Sequence, residues 1–414
     1  MKQVLKLILG FSCLLLFNIA SNGQGILIGG KIVAADSNEP ISFAHVYVQG
    51  TTYGTLTNID GEYALNLPAR FAEDSIVFSC VGYESQVIEV GVLRDEDRLI
   101  PLAESKTTLT EIIVSSLSAE DIWERAVKAK AKNFSTDRFR LTGFYRTTFQ
   151  ENEQFSRLLE AAVHIHGDRF IKKKAKIEYL EIRKSKDLRD HQWKLYDGYL
   201  EHLVNNHPLR WIPDFLNPRG MGKYDFQIAD IKYQDTDCYY VIDATGPKKG
   251  MHNAQMLIKA ETFEIYSITI FWKPENAGDF SWAWEKKDDA RFFCDEQTSI
   301  YEYTPYNGGM VPKRSSWHRK GRVINNENGK TIFRTESIDE LLITNIDSES
   351  YAFENPTEDQ NIYEMAEYFT YKKGFWDTFN RPVDSEYFKR AKQKLESHQP
   401  LEDQFKENSG LKVQ

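Results

Sequence analysis

The sequence predicts a mainly β protein in two parts, a small antiparallel sandwich followed by a larger antiparallel β domain carrying helices. Three observations carry this. Short runs alternating apolar and polar residues recur between turn residues from Gly30 to Tyr83. Longer alternating runs resume at Arg138 and continue to Ile343. Helical spacing is confined to a segment after Ala119, an insertion within residues 188–222, and the charged C-terminal end.

The order along the chain justifies each part. Residues 1–23 read as a secretory signal: Lys2 and Lys6 lead an apolar run from Leu7 to Phe17, and Ser21 and Gly23 fit a cleavage site. That run is short for a membrane span, and no later stretch is apolar enough, so no transmembrane segment is expected in the mature chain. Cys13 sits inside the apolar run, which makes a lipid-attachment reading poor. Losing Lys2 and Lys6 takes the formal charge from −9 to −11, and this acidic balance argues against nucleic-acid binding.

Within residues 24–116, Asp60-Gly61 lies between two alternating runs and predicts a hairpin, because Gly reaches positive φ cheaply. Pro40 lacks a backbone donor and belongs in a connection or at an edge. Residues 109–114 are expected to be the last strand of this unit. Ser118 followed by Asp121 then predicts a helix N-cap, with a helix to about Lys132.

Residues 117–360 are expected to form the second unit. Strands are predicted at 138–149, 154–166, 175–183, 224–233, 239–244, 255–260, 265–272, 292–303, 311–322 and 331–343, with a helix near 198–205. In the second strand, Leu159, Ala161, Val163 and Ile165 face one way and Glu160, Ala162, His164 and His166 the other. Residues 361–414 read as a helical segment, a solvated face or cap with interleaved charges.

Two resemblances follow from these residues. Gly30-Lys31-Ile32-Val33, Glu39-Pro40-Ile41, Ala44-His45-Val46, Gly50-Thr51, Gly54-Thr55, Asp60-Gly61-Glu62-Tyr63 and Val81-Gly82-Tyr83 resemble the carboxypeptidase regulatory-like domain. That resemblance covers roughly residues 29–116 and implies a transthyretin-like Greek-key β-sandwich, an accessory module without catalysis. Such modules stand beside zinc carboxypeptidases and ahead of TonB-dependent receptors. The roughly 300 residues that remain are too few for a receptor barrel of more than about 20 strands. Gly143-Phe144-Tyr145-Arg146, Glu160-Ala161-Ala162-Val163, Phe215-Leu216-Asn217-Pro218, Tyr239-Tyr240-Val241-Ile242, Phe375-Trp376 and residues 400–405 resemble a pattern of exported Gram-negative envelope proteins. The strand order there is similar to the lipoprotein-carrier half-barrel, which implies a curved sheet around a helix.

Candidate sites are sparse. The nine histidines include no His-Glu-x-x-His, so the carboxypeptidase catalytic motif is missing from the sequence. No Gly-x-Ser-x-Gly or phosphate-cradling Gly-rich loop occurs. No catalytic residue and no cofactor are assigned, and a non-catalytic protein is expected. The weak metal candidates are His164, His166 and Glu160 on one strand face. With no fourth donor defined, a polar strip is the commoner reading. Asn58, Asp60 and Glu62 supply too few oxygens for calcium, so a turn is expected there. Phe280, Trp282 and Trp284 form an aromatic row that could stack a sugar or wall an apolar pocket, with core packing the plainer reading. Cys80 reads as a small buried thiol. Cys238 and Cys294 could pair in an oxidising compartment, though spacing does not show their proximity. The function expected is an exported periplasmic or outer-membrane-associated binding or interaction protein, its partner an envelope protein, a lipid or a glycan. A hydrolase with a dispersed site and a structural partner of an outer-membrane complex are the alternatives.

Overall fold

The computed structural model describes residues 25–94, 98–105, 117–134, 137–191, 200–246, 252–272, 281–282, 290–347, 361–408 and 410–411. The signal segment, the strand expected at 109–114, and Phe280 and Trp284 lie outside them.

The first unit is a two-sheet sandwich. Strands β1 (Ile26–Ala34), β4 (Glu62–Leu67) and β7 (Arg98–Leu102) form one sheet in the order β4-β1-β7. Strands β2 (His45–Val48), β3 (Gly54–Leu56), β5 (Ser75–Ser79) and β6 (Gln86–Glu89) form the other, in the order β3-β2-β5-β6. Alternation buries one face of each: in β4, Tyr63, Leu65 and Leu67 point inward. These meet Ile28, Ile32, Val46, Val48 and Phe78 in a core of their own. A short helix, α1 (Val90–Leu93), closes one end with Val90 and Leu93.

Two expectations are corrected here. Asp60-Gly61 does not close a hairpin, because β3 and β4 belong to different sheets. Asn58 Oδ1 accepts from the amides of Asp60 and Glu62, and Gly61 takes φ +78°, so the turn carries the chain across the sandwich. The sandwich is also not wholly antiparallel, since β7 lies parallel to β1.

The second unit is one 11-stranded antiparallel sheet, consecutive except where β18 closes beside β8. Its strands are β8 (Arg138–Glu151), β9 (Gln154–Asp168), β10 (Lys176–Lys184), β11 (Asp225–Gln234), β12 (Asp237–Thr245), β13 (Asn253–Lys259), β14 (Ile265–Trp272), β15 (Ser281–Trp282), β16 (Ala290–Tyr306), β17 (Gly309–Asn325) and β18 (Thr331–Asp347). The order is β10-β9-β8-β18-β17-β16-β14-β13-β12-β11, with β15 paired to β16. Every strand predicted in this unit is present, most of them longer than the apolar pattern suggested.

Helix α2 (Ala119–Asn133) starts at the expected cap. Ser118 Oγ accepts from the Asp121 amide, and Asp121 Oδ2 accepts from the Ser118 amide. It buries Ile122, Trp123, Ala126 and Val127 against one face of the sheet. The insertion places α3 (Leu200–Asn205) and α4 (Pro208–Trp211) on that same face, through Leu200, Leu203 and Leu209. One apolar core therefore runs from β9 through the helices to β12, β13 and β14. The helix expected near 198–205 is α3; residues 192–199 lie outside the description.

Helices α5 (Ile362–Met365), α6 (Lys373–Thr378), α7 (Glu386–Glu396) and α8 (Leu401–Glu407) complete the chain. α6, α7 and α8 cover the opposite face near β8–β10, by Trp376, Leu395, Leu401 and Phe405. Among the described residues no helix is long and apolar enough to cross a membrane. The sandwich is joined to the sheet by polar contacts. Thr52 Oγ1 donates to the Ile346 carbonyl and accepts from the Ile346 amide, each at 3.0 Å. The Gly82 amide donates to Tyr233 O, and Asn380 exchanges two hydrogen bonds with the backbone of Asn66.

Candidate functional site

The helix-bearing face is closely packed where the described residues meet. Trp123 is fully buried, donates its indole N–H to the Phe215 carbonyl at 2.8 Å, and stands edge-on to Phe215. Phe134 meets Phe170 and Tyr303, and the Tyr303 hydroxyl lies 2.6 Å from His207 Nε2. Burial, with the nearby Arg210 charge, holds His207 well below the ordinary imidazole range, so it is neutral in the core. Around His207, Leu203, Ile165 and Ile343 a cavity of about 10 Å³ remains, room for roughly one water.

On the other face of β9, the sequence candidates separate. Glu160 stands apart from the two histidines: it is fully buried and held by Arg183 and by Lys392, the latter at 3.2 Å. Burial pushes its carboxyl up, but Arg183, Lys392, Arg381 and Arg146 outweigh that and hold it well below the usual carboxylate range. Arg183 also lies over the rings of Trp376 and Phe405, and Arg146 over Phe388 while bonding Asp384 and Glu340. The sequence stretches around Arg146, Glu160, Trp376 and Phe405 thus converge into one charged layer beneath the C-terminal helices.

His164 and His166 do come together, and their third partner is Glu178 of β10. Its Oε2 lies 2.8 Å from His166 Nε2 and 3.4 Å from His164 Nδ1. Burial lowers the His164 pKa, with Arg140 adding to it and Glu178 opposing. Burial pushes Glu178 up, yet its bonds and charges from both rings carry it lower overall. Glu178 escaped the sequence reading because the register of β9 against β10, which sets it opposite His164, is not written in either strand alone.

The remaining candidates resolve simply. Asn58, Asp60 and Glu62 make the turn described above. The side chain of Trp282 lies outside the description, as do Phe280 and Trp284, so the aromatic row is not placed. Cys80, Cys238 and Cys294 are free thiols. Cys238 and Cys294 sit on β12 and β16 with β13 and β14 between them, so the pairing considered for them is not formed.

Comparison with known proteins agrees with the first resemblance. Residues 28–114 match the CarboxypepD_reg-like domain family, and the chain carries that domain. The TonB-dependent receptor SusC of Bacteroides thetaiotaomicron is 34% identical over 104 residues, 24% of this chain and 10% of the receptor. This chain therefore matches only a tenth of that relative's length. Among solved structures, a LolA superfamily protein from Nitrosomonas europaea aligns with 59% of this chain and 99% of its own at 13% identity, with a TM-score of 0.21. An outer membrane lipoprotein-sorting protein domain from Vibrio parahaemolyticus aligns with 57% and 96% at 10% identity, with a TM-score of 0.26. MucA-bound MucB of Pseudomonas aeruginosa aligns with 56% and 99% at 11% identity, with a TM-score of 0.18. These are β domains too loosely alike to place a residue or a ligand.

Proposed function

We propose that this is a non-catalytic interaction protein of the cell envelope, in which a self-filled sheet supports an outer surface built from the sandwich and the C-terminal helices. The observation that carries the reading is the filled interior. A carrier of apolar ligands needs a cavity of hundreds of Å³, whereas the cavity beside His207 holds about 10 Å³. The leader-like N-terminus and the 104-residue similarity to a TonB-dependent receptor support an exported, outer-membrane-associated address. The polar docking of the sandwich through Thr52, Gly82 and Asn66 supports a fixed presentation of that domain to a protein partner.

Native mass spectrometry of the protein recovered from periplasm tests this. The expected result is a polypeptide mass with no lipid or glycan bound. A lipid or glycan bound at one per chain would overturn the filled-scaffold reading. Peptide turnover by the pure protein would overturn the non-catalytic one.

A further inference from the structure

Alternate residues of a strand share a face, so Leu158, Glu160, Ala162, His164 and His166 follow in line along β9. The C-terminal helices cover the first three. Leu158 packs with Leu395 and Leu401, Glu160 meets Lys392, and Ala162 shares an apolar cluster with Trp376. The histidines lie beyond the Trp376 contact, and the His164 and Glu178 side chains keep 20% and 31% of their surface exposed. An ion could therefore reach them from solvent.

The donor atoms of His164, His166 and Glu178 all lie within 4.8 Å of one another, and among the described residues no other group of three or more His, Cys, Asp or Glu does so. A tetrahedral ion with bonds of about 2.0–2.2 Å sets its donors roughly 3.3–3.6 Å apart. Glu178 Oε2 already lies near that spacing, 2.8 Å from His166 Nε2 and 3.4 Å from His164 Nδ1. Their backbones are already fixed, because β9 and β10 pair in one register from Lys176–His166 to Tyr179–Val163, and the register shifts only beyond the site, between Tyr179 and Glu181. Two imidazoles with one carboxylate suit zinc-class ions, whereas calcium and magnesium take all-oxygen sets. Two cations neighbour the site: Arg140, opposite His166 on β8, whose charge Asp347 offsets at 2.9 Å, and Lys176, opposite His166 on β10.

We propose that His164, His166 and Glu178 bind a single divalent transition-metal ion of the zinc class, with the fourth coordination position open to solvent. The ion joins the edge strand β10 to β9 and leaves one position for a water or for a donor from a partner.

The test uses the mature full-length protein, free of any affinity tag and stripped with a chelator. Titration calorimetry with Zn²⁺ is expected to show one ion per chain, released again by chelator. Glu178→Gln and His164→Asn are each expected to weaken it by at least about 100-fold, the upper end of what even outer-shell changes cost. Glu336→Gln, which alters the separate His318–Glu336 pair at 2.6 Å, is expected to leave affinity unchanged. Melting curves in chelator confirm that each variant is folded. Cobalt loaded into the parent protein gives a second reading that needs no variant, the intense visible bands of a four-coordinate site. Absence of saturable Zn²⁺ binding, binding that both site variants leave intact, or a weak six-coordinate cobalt spectrum would each overturn the proposal.

Discussion

Glu160 and Asp339 are both buried carboxylates in the same sheet, yet their surroundings drive them in opposite directions. Glu160 faces the C-terminal helices and is ringed by Arg183 and Lys392, with Arg146 and Arg381 nearby, so it stays ionised well below the usual range. Asp339, on β18, faces the helix-filled core. Burial raises its pKa, and the hydroxyl of Tyr145, donating at 2.7 Å, opposes burial only in part. The two faces are closed by different chemistry. The apolar faces of α2 and α3 close one side and leave its acid mainly to hydroxyl donors, with Arg319 and Arg157 acting more weakly, whereas the C-terminal helices add ion pairs to their apolar contacts.

The largest expected effect breaks the apolar side. Trp123→Ala removes the largest fully buried side chain of the core and leaves the Phe215 carbonyl without its donor. A loss of about 3–5 kcal/mol is expected, read as a lower denaturation midpoint in urea. If the change cost less than about 1 kcal/mol, α2 would not be the plug the filled interior requires.

Breaking the charged side comes next. Glu160→Gln keeps the shape and takes the carboxylate from Arg183, while Lys392 keeps Asp384 at 2.7 Å, so about 3 kcal/mol is expected at neutral pH. The folded pKa lies below the unfolded value near 4.5, so this contribution is fully present above pH 4.5 and is lost as pH falls toward the folded value. The parent should lose stability on acidification below pH 4.5 more steeply than Glu160→Gln. Parallel pH curves would mean that the ion pairs do not carry the layer.

How far this contrast was legible follows from the same residues. Alternation along β9 assigned Leu159, Ala161, Val163 and Ile165 to one side and Glu160, His164 and His166 to the other, and both assignments hold. The Ser118–Asp121 cap and the long strands were equally plain, because period and capping are local signals. What covers each face was not legible. Glu160 was grouped with the histidines because sequence gives the face but not the occupant, and its occupants, Arg183 and Lys392, lie 23 and 232 positions downstream. The Asp60-Gly61 turn misled for a related reason. Its local chemistry specifies a turn, while the choice between pairing β4 with β3 or with β1 is made by the sandwich core.

The smallest expected effect sharpens the comparison most, because its sign is reversed. Asp339→Asn keeps an oxygen to accept the Tyr145 hydroxyl and removes the tendency toward a buried charge. The folded pKa of Asp339 lies above the unfolded value near 3.8, so its contribution is fully present below pH 3.8 and is lost as pH rises through the folded value. At neutral pH the acid is therefore a burden, and the variant should be as stable as the parent or more so, by up to about 1 kcal/mol. Below pH 3.8 that advantage should disappear. Urea denaturation of parent and variant at pH 7 and pH 3.5 measures it. A variant weaker than the parent at pH 7 would mean that the Asp339 charge is compensated after all, with Arg157 and Arg319 the cations to suspect. The two faces would then be closed by the same chemistry.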